Sequence, residues 1–389
     1  MIIGVLRETF PGERRIALTP DVAAHLVGQG MEVVVEAGAG VAAGFPDEQY
    51  TARGVAVAPR AQVLSRAAVV LQVRTAGANP AGDADLAAVG SGHTLIGFCD
   101  PLDPGDSLDR VAASGATLFS MELMPRITRA QSMDALSSMA TLSGYKAVLL
   151  AASELPRIFP LMMTAAGTLA PARVLVIGAG VAGLQAIATS RRLGARVSAY
   201  DVRPAVREQV ESLGAAFVDL GLDTGDAEDA GGYARQQSQD FYRRQQEALG
   251  KVIAGMDVVI TTAAVPGKRA PVLVTEAMVQ GMAPQSVIVD LAAERGGNCA
   301  VTRPGETVEA HGVRVIGPVN LPATVPNHAS QMYAHNISTF LLHLVKDGQL
   351  QLDTEDEITR ETLVTRGGQV VHARALEARG QAPAAPKGE

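Results

Sequence analysis

The stretch Val174-Leu-Val-Ile-Gly178-Ala-Gly180-Val-Ala-Gly183, followed by Arg196-Val-Ser-Ala-Tyr200-Asp201, constrains this chain more than any other. An apolar run leads into three spaced glycines, a helical segment follows, and a second apolar run ends on an acid. That is the order strand, tight turn, helix, strand. Each glycine has a physical reason. Gly178 permits a sharp exit from the strand, Gly180 brings no side chain between the backbone and an approaching phosphate, and Gly183 lets the new helix lie close to the sheet. Phosphates would then meet the positive end of that helix. A carboxylate at Asp201 is placed to accept both hydroxyls of an adenosine ribose and to repel a 2′-phosphate, so the pattern reads as a site for NAD. Arg203 softens that repulsion.

The rest of the chain is organised to match. Residues 2–6, 31–35, 68–73, 94–98 and 116–120 are short apolar runs separated by turn residues. Thr19-Pro20-Asp21 is a helix start with Thr19 as cap and Pro20 in the first turn, and Gly30 stops that helix. This alternation gives a parallel, doubly wound domain. A longer helical pattern over 133–155 crosses to a second domain, which holds the glycine motif and continues through apolar runs at 216–219, 258–262, 287–291 and 313–316, the rhythm of a six-stranded nucleotide-binding fold. After Pro326, a helix over 330–345 returns to the first domain, and from 380 onward the chain is rich in Ala, Gly and Pro and reads as frayed. The expectation is an α/β protein of two doubly wound, parallel-sheet, Rossmann-like domains joined by long helices. The first takes 1–135 with 330–372, the second 136–329, and 373–389 form a flexible tail.

Composition excludes several classes. With 33 Lys and Arg against 40 Asp and Glu, the net charge is −7 and no basic block offsets it, so nucleic acid has no electrostatic footprint to bind. Cys99 and Cys299 are far apart and form no Cys-x-x-Cys, which argues against a disulfide scaffold, a redox pair or a metal site. The start, Met-Ile-Ile-Gly-Val-Leu-Arg, is strand-like and carries no signal segment. The most apolar helical stretch, 147–152, lies between Lys146 and Glu154 and falls short of the roughly 20 residues that span a bilayer. No direct membrane span is expected.

Two further segments carry chemistry-bearing residues. The polar insertion at 221–234 is long for this fold; Gly231 and Gly232 would hinge it and Tyr233 would plug a bound nucleotide, the alternative being a plain surface loop. In Pro125-Arg126-Ile-Thr-Arg129-Ala-Gln131-Ser-Met-Asp134-Ala-Leu-Ser137, Asp134 and Ser137 share a face of the first helical turn, with Arg126 and Gln131 in the loop before it. Helix capping explains Asp134 and Ser137 equally well without any chemistry.

These segments, together with Thr261-Thr-Ala-Ala264-Val-Pro-Gly-Lys, Val289-Asp-Leu-Ala-Ala-Glu-Arg-Gly-Gly-Asn-Cys299 and Pro11-Gly-Glu-Arg-Arg15, resemble the NAD(H)-binding component of proton-translocating NAD(P) transhydrogenases from residue 1 to about 345. The last of them is shared with alanine dehydrogenases. The resemblance implies a cytoplasmic, homodimeric subunit, peripheral on the inner face of the cell membrane through partner subunits, that exchanges hydride with NADP(H) held by one of them. It implies that Arg126, Gln131, Asp134 and Ser137 hold the dihydronicotinamide ring and that Gly232 and Tyr233 close over the nucleotide. Val181, Asp201, Val202, Arg203, Gln245 and Ala264 then line it, beside Gly178, Gly180 and Gly183. Hydride transfer between two nicotinamide rings needs no general acid or base, so positioning is what the protein supplies: Arg126 and Gln131 orient the carboxamide, and Asp134 aligns Gln131 and balances charge on the oxidised ring. An alanine dehydrogenase would instead need a cationic pair and a histidine in the first domain; here Arg74 stands where that family has lysine, and Gly97-Phe98-Cys99-Asp100 supplies no histidine. His328 and His335 read as structural. A non-enzymatic, NAD-responsive regulatory subunit is the remaining alternative, against which stands the Arg126 to Ser137 set.

Overall fold

The computed structural model describes residues 1–222, 238–264 and 267–381. The chain divides into two compact units, Met1–Met139 with Pro322–Glu389, and Ala140–Leu321.

The first unit is built on an eight-stranded sheet. From one edge to the other it runs Gln369–Val370, Leu363–Arg366, Thr117–Ser120, Thr94–Phe98, Val69–Arg74, Ile2–Val5, Glu32–Glu36 and Ala56–Ala58. Its six N-terminal strands are parallel and nearly continuously apolar, because helices cover both faces of such a sheet. Leu6, Val34, Val63, Val70 and Leu118 belong to one buried cluster. The two C-terminal strands are antiparallel additions at the edge. Helix Pro20–Gly28 starts as expected with proline in its first turn, but Thr19 makes no side-chain cap; the Ala23 N–H donates instead to the Thr19 carbonyl at 2.9 Å. The returning helix is Pro326–Leu344, beginning at its proline rather than at 330, since the fixed φ of proline suits a first turn. Its Tyr333 hydroxyl donates to the Gln72 carbonyl (2.8 Å), and its Ser330 hydroxyl accepts from the Ile16 N–H (3.0 Å). The segment expected as a tail from 373 opens with helix Ala373–Ala378, which buries Ala375 and Leu376.

The second unit holds a seven-stranded sheet in the order Ala216–Phe217, Arg196–Tyr200, Arg173–Ile177, Val258–Thr261, Val287–Asp290, Val313–Ile316, Thr307–Ala310. Six strands are parallel, and Thr307–Ala310 pairs antiparallel at the edge. Strand order reverses on either side of Arg173–Ile177, and the crevice at the carboxyl end of such a strand is where doubly wound sheets bind ligands. The long helix is Ala135–Glu154, 20 residues of mean hydropathy 1.2, so the apolar helix is longer than the six-residue stretch read from sequence and, by length and composition alone, long enough to cross a membrane. Ala147, Val148 and Ala151 are fully buried in this unit's core, and a Cβ on Gly144 would stand 2.1 Å from the Ala182 carbonyl oxygen; these are the marks of a core helix. A hairpin of Met162–Thr164 and Gly167–Leu169, exposed throughout, was not foreseen.

Candidate functional site

The glycine turn leaves the carboxyl end of Arg173–Ile177. Gly178 has φ 97°, and a Cβ there would meet Thr262 Oγ1 at 2.5 Å, so both its backbone and its neighbours demand glycine. A Cβ on Gly183 would stand 1.8 Å from the Gly178 carbonyl oxygen, which is how closely helix Val181–Arg192 packs on the strand. At Gly180 a Cβ would meet nothing within 4 Å. Gly180 is also the N-cap of that helix and no side chain caps it, so the first-turn N–H groups face open space as donors for an anionic group. Val181 is exposed at the same helix start.

Asp201 follows Arg196–Tyr200 and is only 8 % exposed. Its Oδ2 accepts from the Ala179 N–H, inside the glycine turn, at 2.7 Å; its Oδ1 accepts from the Arg203 N–H at 2.9 Å. The Arg203 guanidinium lies on both oxygens at 2.9 Å. A carboxylate offers about four lone-pair positions, so ribose hydroxyls reaching this one share it with Arg203 or displace it. Beside it opens a cleft of about 250 Å³ lined by Tyr200, Asp201, Val202, Arg207, Phe217 and Leu220, among others. The Arg207 guanidinium lies over the Phe217 ring at 4.7 Å and pairs with Asp219, which gives the cleft a flat, firm wall suited to a planar base.

Gln245 is not part of that wall. It is fully buried in helix Gln239–Ile253, where its Nε2 donates to the Tyr200 hydroxyl at 2.8 Å and its Oε1 has no partner among the described residues. Helix side chains one face away cannot be told apart by spacing; burial places Gln245 behind Tyr200, which does line the cleft. Ala264 is exposed just past strand Val258–Thr261. Gly232 and Tyr233 lie outside the described residues.

The backbone leading to Ala264 is held by two residues to which sequence reasoning gave no role. Asp290, fully buried, accepts from the hydroxyls of Thr261 (2.9 Å) and Thr302 (2.7 Å) and from the N–H groups of Ala292 (3.0 Å), Asn298 (2.7 Å) and Cys299 (3.0 Å). Asn298 accepts from the Ala263 N–H and donates to the carbonyls of Ala263 and Pro271. The Thr262 hydroxyl then donates to the Gly178 carbonyl at 3.0 Å, which fastens this segment to the glycine turn. An acid and an amide at the end of a buried apolar run were the available signal.

In the first unit, a tight 3-10 turn, Thr128–Met133, precedes helix Ala135–Glu154. Ala130 and Met133 are buried while Arg126 and Gln131 are exposed, so this loop is pinned from below and presents those two side chains outward. Asp134 accepts from the Ser137 N–H (2.9 Å) and hydroxyl (2.6 Å). Its carboxylate is therefore engaged in capping the helix, and the expected alignment of Gln131 by Asp134 is replaced by a fixed helix start. Elsewhere in the unit, the Arg15 Nε and Nη2 lie on Glu13 at 2.7 and 2.6 Å, and Arg74 sits over the Phe10 ring at 4.3 Å with Glu13 3.5 Å from its Nε. The backbone N–H groups of Cys99 and Asp100 donate to Glu122. Among the described residues, no three His, Cys, Asp or Glu are grouped to hold a metal.

Family models match the chain over both units: "Alanine dehydrogenase/PNT, N-terminal domain" at residues 4–143 and "Alanine dehydrogenase/PNT, C-terminal domain" at 147–373. The chain is 48% identical over 378 residues to an NAD(P) transhydrogenase subunit alpha chain of Rhodospirillum rubrum, covering 96% of this chain and 98% of that one. It is 27% identical to the alanine dehydrogenase of Mycolicibacterium smegmatis, over 95% of each chain. The crystal structure of transhydrogenase from Sinorhizobium meliloti matches with a TM-score of 0.84 at 44% identity, covering 95% of this chain and 100% of that one.

Proposed function

Because the chain belongs to the alanine dehydrogenase/PNT family, as an NAD(H)-binding transhydrogenase component, we propose that it performs direct hydride exchange with NADP(H) held by a partner subunit, coupled to proton translocation by membrane subunits. NADH bound here supplies the hydride: its C4–H bond breaks and the hydrogen leaves with both electrons for C4 of NADP⁺, yielding NAD⁺ and NADPH, with the reverse direction equally balanced. The observation that carries the reading is Gly180, where an uncapped helix start faces open space next to the buried acid Asp201. The helix start and Gly178, Gly180, Val181 and Gly183 hold the pyrophosphate; Asp201, Val202 and Arg203 hold the adenosine ribose, with the base in the cleft beside them. Ala264, on its fastened segment, and Gly232 and Tyr233 complete the enclosure. Arg126 and Gln131 bind the carboxamide and set which face of the ring is presented, while Asp134 and Ser137 fix the helix start and place a negative charge near the ring. None of these groups has to gain or lose a proton. Arg15 is held by Glu13, and residues 97–100 bring no histidine, so the residues an alanine dehydrogenase would use to grip a keto acid and move its proton are not assembled. The subunit is a homodimer, cytoplasmic, and peripheral on the membrane through its partners.

The test is to mix the purified chain with membranes that carry the partner subunits but lack this one, and to follow hydride transfer from NADPH to an NAD⁺ analogue absorbing at its own wavelength. Restored transfer is expected. Gln131→Asn should lower its rate by about 10- to 100-fold, because a carboxamide misplaced by about 1 Å costs that much, while NADH affinity stays within about two-fold. If the wild-type chain binds NADH yet restores nothing, the regulatory reading replaces this one. Asp201→Asn should weaken NADH binding at least about tenfold, since hydrogen bonds to a charged acceptor contribute about 1.5–3 kcal/mol, and should narrow the preference for NADH over NADPH; calorimetric titration with each nucleotide measures both.

A further inference from the structure

Resting on the proposal that Arg126 and Gln131 hold the nicotinamide ring, we propose that Arg129, Asp356 and Asn336 are positioning residues for hydride transfer, acting by fixing the loop that presents those two side chains. Arg126 and Gln131 are exposed on a tight turn with buried support only from Ala130 and Met133. Two polar ties hold the same turn from the far end of the sequence. Arg129 Nη1 lies 2.6 Å from Asp356 Oδ2, and Asn336 Nδ2 donates to the Ser132 carbonyl at 2.8 Å.

Both ties are themselves fixed. Asp356 is the N-cap of helix Glu357–Thr362, its Oδ1 accepting from the Thr359 N–H at 3.0 Å, and the same oxygen is 2.9 Å from His343 Nε2. His343 stacks on Phe340, with ring planes 18° apart. Asn336 and His343 stand seven residues apart on helix Pro326–Leu344 and so share one face of it, which means a single helix braces the turn by two routes. Asn336 is buried and its Oδ1 has no partner among the described residues. Burying an amide with one end unpaired is unfavourable, so what this residue contributes is the bond that its other end makes to the turn. Turning the amide over would set its oxygen against the Ser132 carbonyl, and that fixes the assignment.

The Arg129–Asp356 pair is half exposed on the arginine side (52 %), and pairs of that kind contribute little to stability. Its weight falls on geometry, because transfer rate depends steeply on the ring's placement. The chain, recombined with its partner membranes, is compared as wild type, Arg129→Met, Asp356→Asn, the double variant, Asn336→Ala, Arg129→Lys and Gln131→Asn. Single-turnover hydride transfer, NADH affinity and thermal midpoint are measured for each. Arg129→Met and Asp356→Asn are expected to slow transfer about tenfold with NADH affinity within twofold and the midpoint nearly unchanged, and the double variant to be no slower than the worse single. Arg129→Lys should recover most of the rate, and Asn336→Ala should slow transfer further than Arg129→Met. If Gln131→Asn slows transfer while Arg129→Met and Asp356→Asn do not, the ties are ornamental and this inference falls alone. If none of the three slows transfer, the ring-binding assignment falls and takes this inference with it. Rate losses that track equal losses in midpoint across the series would also overturn it, by reducing the ties to general stability.

Discussion

Asp290→Ala is expected to unfold the Ala140–Leu321 unit at temperatures where the wild type is intact, and with it to abolish NADH binding. Five donors converge on that carboxylate, three of them backbone N–H groups of Ala292, Asn298 and Cys299 that have no freedom to turn elsewhere. The hydroxyls of Thr261 and Thr302 can rotate towards other acceptors, but only within a buried pocket. Each buried donor left without a partner costs about 1–3 kcal/mol, and a domain's whole stability is about 5–15 kcal/mol, so the loss is of the same order as the total. Scanning calorimetry should show the transition of this unit displaced by more than about ten degrees, or missing. Asp290→Asn keeps one oxygen and turns the other position into a donor facing donors, so it should fall between wild type and alanine. Midpoints for both variants within about two degrees of wild type would refute the account of Asp290 as the organiser of this sheet end.

The second large effect separates two glycines three residues apart. Gly183→Ala places a methyl group 1.8 Å from the Gly178 carbonyl oxygen, a contact that real Cβ atoms do not make, so the helix has to move outward by at least about 1 Å. Its first-turn N–H groups move with it, and the strand packing beneath is opened. Both the thermal midpoint and NADH affinity should fall, the latter by about 100-fold or more. Gly180→Ala meets no atom within 4 Å and requires no left-handed φ, so it should fold with an unchanged midpoint. Its new methyl group nevertheless occupies the space in front of the helix start, where the proposal puts the pyrophosphate, and NADH affinity should fall about as far. Normal NADH binding by a well-folded Gly180→Ala would remove the phosphates from this turn.

What could be read from sequence follows from which interactions are local. The glycine turn was legible because three backbone demands are written in three residues, and the buried parallel strands were legible as unbroken apolar runs. Strand Thr307–Ala310 was missed because an edge strand alternates and carries Glu309, which looks like surface. The exposed hairpin of Met162–Thr164 and Gly167–Leu169 has no buried face to leave a period behind. Side-chain partners were harder still. Spacing put Gln245 towards the nucleotide and Asp134 towards Gln131, but the first is claimed by Tyr200 and the second by Ser137. Asp356 and Asn336 brace a turn more than two hundred residues earlier in the chain, and no period or motif reports a contact of that separation.

The bond from Ala179 to Asp201 has a consequence for anyone who would re-engineer the nucleotide preference. The acid that reads the ribose is also a splint for the turn that carries the phosphates. A change that removes the acid to admit a 2′-phosphate therefore loosens the turn in the same stroke, and the new nucleotide gains room at one end while losing its grip at the other. A successful exchange has to supply a substitute acceptor for the Ala179 N–H and give the Arg203 guanidinium, now without its carboxylate, a phosphate to hold.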